Sequence, residues 1–371
     1  MLSAAASLKE GGHHVFVAAK DDGVARRSRF IDQYFNWIAP LDAQNVEKGL
    51  LDIIQQWKID VIIPMEDEYA TCLSLVKPVL ERKSKCRCAV MDWEVFSMVS
   101  DKSALLAFCK RHDIGHPRTE KIYGDYDIVG KQVGFPALIK PNHSEGSKGI
   151  ILVNNLEELK LRAPDCITQY GECTLQEYIE NDHYYNLMIY RTKGGEFSNH
   201  AIIKVLRYYP IKGGSSSFAV SVDDEKMVDM CKRLLDALNW VGMADFDILE
   251  KGTGDYRIIE INPRVPASLR GAEISGINFP EIIVSDCLGK AIPYYEYRTG
   301  KYLRFLGLDL AWFMTSPDRF SCTPSWFRFL GKDIYYEDGG LRDLPSMITY
   351  IWSGIKKQLS PEFRKSKAGL N

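Results

Sequence analysis

Two short runs constrain this chain more than anything else in it. Ala244-Asp245-Phe246-Asp247-Ile248 and Ile258-Ile259-Glu260-Ile261-Asn262 alternate polar with apolar residues at the period of a β-strand, and the turn Lys251-Gly252-Thr253-Gly254-Asp255 separates them. Alternation puts Asp245 with Asp247 on one face and Glu260 with Asn262 on one face, while Phe246, Ile248, Ile259 and Ile261 point the other way. Carboxylates held side by side on neighbouring strands repel unless cations sit between them. Hard divalent ions with oxygen ligands answer that need, Mg2+ above all when phosphates complete its shell. A solvated polar face would alternate in the same way, but Asn262-Pro263-Arg264 adds a neutral oxygen ligand and then a cation, and the pattern therefore favours a metal.

Three further pieces precede that pair. Lys140-Pro141 ends a strand predicted over 135–141 and leads into Asn142-His143-Ser144-Glu145-Gly146-Ser147-Lys148-Gly149-Ile150. Small residues and glycines there let backbone N–H groups approach phosphate oxygens while ammonium charge offsets theirs. The spacing fits neither the P-loop nor the G-x-G-x-x-G pattern. Gln176-Glu177-Tyr178-Ile179 is a polar pair leading into an apolar pair, suited to an adenine edge or simply to an ordinary amphipathic strand. Arg207, Lys212 and the run Gly213 to Ser217 read either as a flexible linker or as cations beside an anionic reacting group.

The rest of the chain supplies the frame. At 371 residues it is too long for one comfortable core, and two or three domains are expected. Leu2 to Glu10 reads as a helix, 15–19 and 60–64 as strands and 46–57 as a helix, which together predict a small parallel sheet up to about residue 95. A helix at the second residue leaves such a sheet without its usual first strand, so the natural protein is expected to begin upstream of Met1. Asp101-Lys102 opens a helix to about His112; strands follow over 174–179, 186–192 and 199–205, then an amphipathic helix over 224–239.

A formal net charge of −2 leaves no surplus for a polyphosphate backbone, and no nucleic-acid partner is expected. Nine cysteines without a C-x-x-C pair or a matching histidine cluster read as reduced thiols, with Cys86-x-Cys88 structural rather than metal-binding. No signal-like or membrane-spanning stretch appears, which implies the cytoplasm. Beyond residue 295 aromatic density rises, and Pro345 to Leu359 with the lysines and arginines after it has two readings. It lies on an anionic membrane surface, or, the commoner fate of an aromatic tail, it packs back on its own domain.

Taken in order, Asp101-Lys102, Ile139-Lys140-Pro141, Gly146-Ser147-Lys148-Gly149, Gln176-Glu177-Tyr178-Ile179, Asp247 and Glu260-Ile261-Asn262-Pro263-Arg264 resemble the ATP-grasp superfamily over about residues 15–293. The likeness is nearest to its carbamoyl-phosphate-synthase-like carboxylate–amine ligases. The resemblance implies an α/β and α+β fold: a Rossmann-like pre-ATP-grasp domain over 1–95 lacking its first strand, ATP-grasp subdomains over 96–180 and 181–295, and a C-terminal extension over 296–371. It implies ATP between the subdomains, Lys102 and Lys140 on its phosphates, and the loop with Gly146, Ser147 and Gly149 closing as a lid. Gln176, Glu177 and Ile179 would hold adenine, with Asp182 or His183 on the ribose. Asp247, Glu260 and Asn262 would hold two Mg2+ ions, which Mn2+ could replace; Arg264, with Lys140 and Arg207, would steady the transferred phosphoryl group. Asp247 stands where glutamate is commoner, and Asn181 where glycine is usual.

The activity implied is ATP- and Mg2+-dependent activation of a carboxylate as an acyl phosphate for attack by an amine, with small-molecule substrates and room for a homodimer. The alternatives are a carbamoyl-phosphate-forming or small-molecule-phosphorylating enzyme and a non-catalytic ATP-binding module. Glu66-Asp67-Glu68 is expected to be a solvated turn, with substrate contact the lesser alternative.

Overall fold

The computed structural model describes residues 1–20, 24–142, 149–181, 183–211 and 214–337, together with Asp343, Pro345, Ile348 and Thr349. The first region runs α1 (Leu2–Glu10), β1 (Phe16–Ala19), β2 (Gln33–Asn36), α2 (Ala43–Trp57), β3 (Val61–Ile62), α3 (Asp67–Lys83), β4 (Arg87–Cys88) and α4 (Trp93–Ser100). Alternating helices and strands give parallel pairing, as the sequence predicts, but not one sheet. β1 pairs with β2 and β3 with β4, as two separate ladders, and among the described residues no strand joins them.

What holds α1 is the far side of the molecule. Ser3 Oγ donates to Glu273 Oε2 at 2.7 Å and Ser7 Oγ to Asn278 Oδ1 at 2.6 Å, while His13 Nε2 lies 2.9 Å from Glu281 Oε2. Ser3 and Ser7 are four residues apart and therefore share one helix face.

A four-stranded sheet comes next, from α5 (Lys102–Arg111), β5 (Thr119–Lys121), α6 (Tyr126–Val133), β6 (Ala137–Pro141), β7 (Ile151–Val153), α7 (Leu156–Tyr170) and β8 (Cys173–Glu177), in strand order β5-β8-β6-β7. α6 and α7 cover one face through Val129, Val133, Leu159 and Ala163, while Leu138 and Lys140 of β6 alternate onto the other. The linker into this sheet runs against the next one: Ile258 N donates to Gly115 O at 2.8 Å, and a Cβ at Gly115 would lie 2.2 Å from the Tyr256 carbonyl oxygen. Only glycine permits so close a backbone approach.

The largest sheet has seven strands in the order β13-β12-β9-β10-β11-β14-β15. Its elements are β9 (His183–Arg191), β10 (Phe197–Tyr209), β11 (Ser215–Val222), α8 (Glu225–Ala237), β12 (Gly242–Glu250), β13 (Tyr256–Asn262), α9 (Leu269–Ile274), α10 (Phe279–Cys287), β14 (Tyr302–Arg304), α11 (Leu306–Thr315) and β15 (Ile334–Tyr336). α8 is capped by Asp224, whose side chain accepts from Met227 N, and it buries Met227, Val228, Met230, Cys231, Leu234 and Leu235 against one face. Each such side chain contributes roughly 1.5–3 kcal/mol of burial. α9 and α10 cover part of the opposite face through Leu269, Ala272, Phe279 and Ile282.

Two expectations change here. Ser215 to Ser217 begin β11 rather than forming a loop, while Lys212 and Gly213 lie outside the described residues. Nor is the stretch after residue 295 an appendage: β14 and β15 extend the seven-stranded sheet, and Phe313 stacks on Trp326 at 4.0 Å between centroids. The described aromatic residues thus pack largely on their own domain, although Phe320 and Phe327 remain exposed. Most of 345–359 lies outside the described residues. No helix among the described residues is long and apolar enough to cross a membrane.

Candidate active site

The site grows from the register of three adjacent strands. Asp245 pairs with Asn262 and Asp247 with Glu260 between β12 and β13, and Asp247 pairs with Asn186 on β9. Alternation then sets Tyr184 and Asn186 on the same face as the carboxylates. Asn186 Nδ2 donates to Asp247 Oδ1, and Asn262 Nδ2 donates to Asp245 Oδ2 at 3.1 Å. Asp245 and Asp247 are both buried.

Cations approach from the four-stranded sheet and from α5. Asp101 caps α5, its side chain accepting from Ser103 N and Ala104 N, and this fixes Lys102 in the first turn. Lys102 Nζ lies 3.9 Å from Glu260 Oε2. Lys140 sits on β6 between buried Ile139 and Pro141, and so faces away from α6 and α7, toward Glu260, Lys102 and Asp247. Burial pulls its ammonium down to about 8, the charge of Lys102 pushing the same way and Glu260 and Asp247 resisting.

The carboxylates divide their proton unequally. Burial, then the charge of Glu260, holds Asp247 well above the ordinary carboxylate value. Burial would raise Glu260 too, but its hydrogen bond with Asp247 and the charges of Lys102, Lys140 and Arg264 outweigh that and leave it low. Two carboxylates sharing one proton is an arrangement that a divalent cation can replace. Asp247, Glu260 and the Asn262 carbonyl make an all-oxygen donor set suited to Mg2+. Among the described residues no three acidic, histidine or cysteine side chains form a self-contained metal site, Cys86 and Cys88 included. Mg2+ commonly takes only one or two carboxylates and completes its shell with water and phosphate oxygens, which this set leaves room for.

Arg264, just past β13, reaches the N-terminal region: its Nε and Nη2 donate to Asp67 Oδ1 and Oδ2 at 2.6 and 3.1 Å. Burial opposes its charge, but the Asp67 hydrogen bond and the neighbouring acids hold the guanidinium's pKa above its ordinary value. Asp67 therefore departs from the solvated turn expected of residues 66–68. Asp67 opens α3 and touches the site, whereas Glu66 and Glu68 are exposed.

On the hinge side, Gln176 is buried on β8 opposite Leu138, with Nε2 3.5 Å from Thr119 Oγ1. The Glu177 carboxylate accepts from Arg118 N and Nε, both at 3.1 Å, and Ile179 is buried beyond the strand's end. Gly149 has φ +74°, and a Cβ there would lie 2.7 Å from Tyr170, so glycine is needed where the loop rejoins β7. Gly146, Ser147 and Asp182 lie outside the described residues.

Two assignments fail. His183 lies on the opposite face of β9 from Asn186, its ring edge-on to Tyr185 at 6.3 Å, because a one-residue step along a strand reverses direction. Tyr184 takes the facing position, and its hydroxyl hydrogen-bonds Asp247. Arg207 is buried at 3% exposure in a two-pronged pair with Asp309, at 2.8 and 3.2 Å, beneath α11. It anchors the C-terminal region and is not free to serve a reacting group. Tyr184 and Asn186 went unread in the sequence because strand register leaves no local signal, and the pairing of Asp67 with Arg264 left none either.

A family model described as the ATP-grasp domain matches residues 99–268. Residues 99–268 are thus similar to an ATP-grasp domain. The matched span begins just before Lys102 and ends just after Arg264, so it contains both lysines and the three candidate metal ligands. The biotin carboxylase domain of 2-oxoglutarate carboxylase from Hydrogenobacter thermophilus, solved with MgADP, ADP and bicarbonate, superposes with a TM-score of 0.68. It is 18% identical, over 81% of this chain and 70% of that one. N5-carboxyaminoimidazole synthetase from Staphylococcus aureus, solved with ADP, gives a TM-score of 0.65 at 17% identity, over 83% of this chain and 80% of that one. The ATP-grasp fold is thus shared. Acetyl-CoA carboxylase 1 of Arabidopsis thaliana is 26% identical over 185 residues, which are 48% of this chain but 8% of that protein.

The acids of this candidate site set the pH response of the protein without metal or nucleotide. Burial raises Asp245 from 3.8 to about 7, so the fold prefers its protonated form. Stability is complete below the ordinary carboxylate value and is lost as pH rises through about 7. At about 1.36 kcal/mol per unit the loss is bounded near 4 kcal/mol. The melting temperature should fall between about pH 4 and pH 7, and Asp245→Asn should flatten that fall; scanning fluorimetry showing parallel curves for the two proteins would contradict it.

Proposed function

We propose that the chain is an ATP- and Mg2+-dependent carboxylate–amine ligase, which activates a carboxylate as an acyl phosphate and passes the acyl group to an amine. The observation that carries the reading is the meeting of Lys102 and Lys140 with Asp247 and Glu260, at 3.9 Å between Lys102 and Glu260. Carboxylate attack on a γ-phosphate brings anions together, and cations must offset that repulsion before in-line transfer can occur. Mg2+, held by Asp247, Glu260 and Asn262, would supply charge neutralisation and a template for the phosphates.

The protein's own residues do the rest. Lys102 and Lys140 neutralise phosphate oxygens from the opposite wall, and a nucleotide restores the full charge of Lys140 that burial weakens. Gln176, Glu177 and Ile179 frame the adenine, with Tyr184 rather than His183 facing the nucleotide. Arg264, oriented by Asp67, presents its remaining N–H groups to the transferred phosphoryl group. No side-chain nucleophile is required. The substrates are small molecules, and the same reading puts the protein in the cytoplasm, with a homodimer compatible.

The test is an ADP-release screen of amino acids and uronic acids offered in pairs with ATP and Mg2+, followed by mass spectrometry of the products. A pair that raises ADP release and yields a condensed amide supports the ligase. ADP release with a single anion and no amide would replace it with a phosphorylating enzyme.

A further inference from the structure

Asn262 can serve a metal in only one of its two orientations. Its amide has a ligating oxygen and a non-ligating NH2 group at nearly the same positions, so something must decide which end faces the cation. Asp245 stands directly opposite it in the β12–β13 ladder, and its Oδ2 receives Nδ2 of Asn262 at 3.1 Å. When ionised, the Asp245 carboxylate only accepts, so this contact then admits the NH2 end alone and turns Oδ1 of Asn262 away from Asp245.

The carboxylate is kept there at a cost. Asp245 is 3% exposed, and its Oδ1 is sealed from solvent with no hydrogen-bond partner among the described residues. A buried acceptor left unmatched costs about 1–3 kcal/mol, and an apolar side chain would carry no such penalty. The neighbouring pair repeats the arrangement, since Asn186 Nδ2 donates to Asp247 Oδ1 and fixes that carboxylate in turn.

We propose that Asp245 is a positioning residue of the metal site, which sets the amide of Asn262 so that its oxygen meets the cation. The proposal rests on the magnesium reading above and goes beyond it, since Asp245 is not among the ligands named there. Partners of this kind, once removed, typically cost 10–100-fold in metal affinity.

Mn2+ binding to the full chain in the presence of ADP, followed by electron paramagnetic resonance and calorimetry, tests it without any turnover. Asp245→Leu, which removes the acceptor at similar volume, should weaken Mn2+ about 10–100-fold. The exchanged pair Asp245→Asn with Asn262→Asp keeps the net charge and reverses the hydrogen bond. A carboxylate at 262 offers oxygen in either orientation, so this variant should recover affinity to within about threefold of the original protein. A merely structural Asp245 would change the melting temperature and leave Mn2+ affinity alone. Asp245→Leu binding Mn2+ within about twofold of the original protein overturns the proposal, as does an exchanged pair that stays far weaker than the original. The exchanged pair also decides the matter if Asp245→Leu does not fold. An unaltered chain that takes up ADP but no Mn2+ would bring down the magnesium reading itself, and the proposal with it.

Discussion

Glu260→Ala should lower substrate-dependent ADP release by about 10²–10³-fold or more, the usual scale for removing one preorganised electrostatic group from a reacting centre. Glu260 carries more than one role. It faces Lys102 at 3.9 Å, shares a proton with Asp247, and lies in the field of Lys140 and Arg264. Removing it strips a metal ligand and leaves the cations without their counter-charge. Lys140→Ala should fall by a similar factor, but with a different signature. Its loss weakens the hold on phosphate, so the KM for ATP should rise along with the fall in kcat, whereas Glu260→Ala should chiefly depress kcat and Mn2+ binding. Neither change should unfold the protein: Glu260 leaves one fewer acid in a crowded cluster, and Lys140 is an ammonium held in an unfavourable burial. Steady-state kinetics with a coupled ADP assay, beside circular dichroism, decides it. Full turnover in either variant would remove that residue from the mechanism.

How much of this was readable beforehand depends on the range over which each signal acts. Strand alternation at Asp245, Asp247, Glu260 and Asn262 is local, and β13 falls on Tyr256–Asn262 as its pattern predicts. The cap at Asp101 is local too, and it places α5 over Lys102–Arg111, so Lys102 could be named from sequence. Register is not local. Nothing near residues 183–186 says that Asn186 rather than Tyr185 meets Asp247; of the two residues expected on the ribose, His183 lies on the other face and Asp182 lies outside the described residues. The Arg264–Asp67 pair joins residues 197 apart and belongs to tertiary structure alone. The N-terminal region followed its local helix and strand signals, yet whether those strands form one sheet or two ladders is decided by neighbours that periodicity does not specify.

Arg207 was misread for a related reason: an arginine beside a Gly/Ser run suits an anion, and the anion it found was Asp309, far along the chain. Arg207 Nε and Nη2 bind both oxygens of Asp309, Nη1 reaches Pro324 O at 3.2 Å, and the guanidinium lies 4.1 Å from the Phe218 ring. Arg304, fully buried, shares the same carboxylate at 3.4 Å and caps Trp326 O and Arg328 O at 3.1 Å each. One carboxylate therefore serves two buried cations. Breaking such a pair leaves an uncompensated charge and costs about 3–5 kcal/mol, so Asp309→Ala, which strands two, should destabilise more than Arg207→Ala, which strands none of like sign. The double change Arg207→Met with Asp309→Leu should still suffer from the orphaned Arg304, and adding Arg304→Met should recover much of the loss. Urea unfolding reads this order directly through the midpoint at unchanged slope. In conditions where Arg207→Met remains folded, its ADP release should match that of the unaltered chain. A variant with a normal midpoint and lost turnover would return Arg207 to the chemistry.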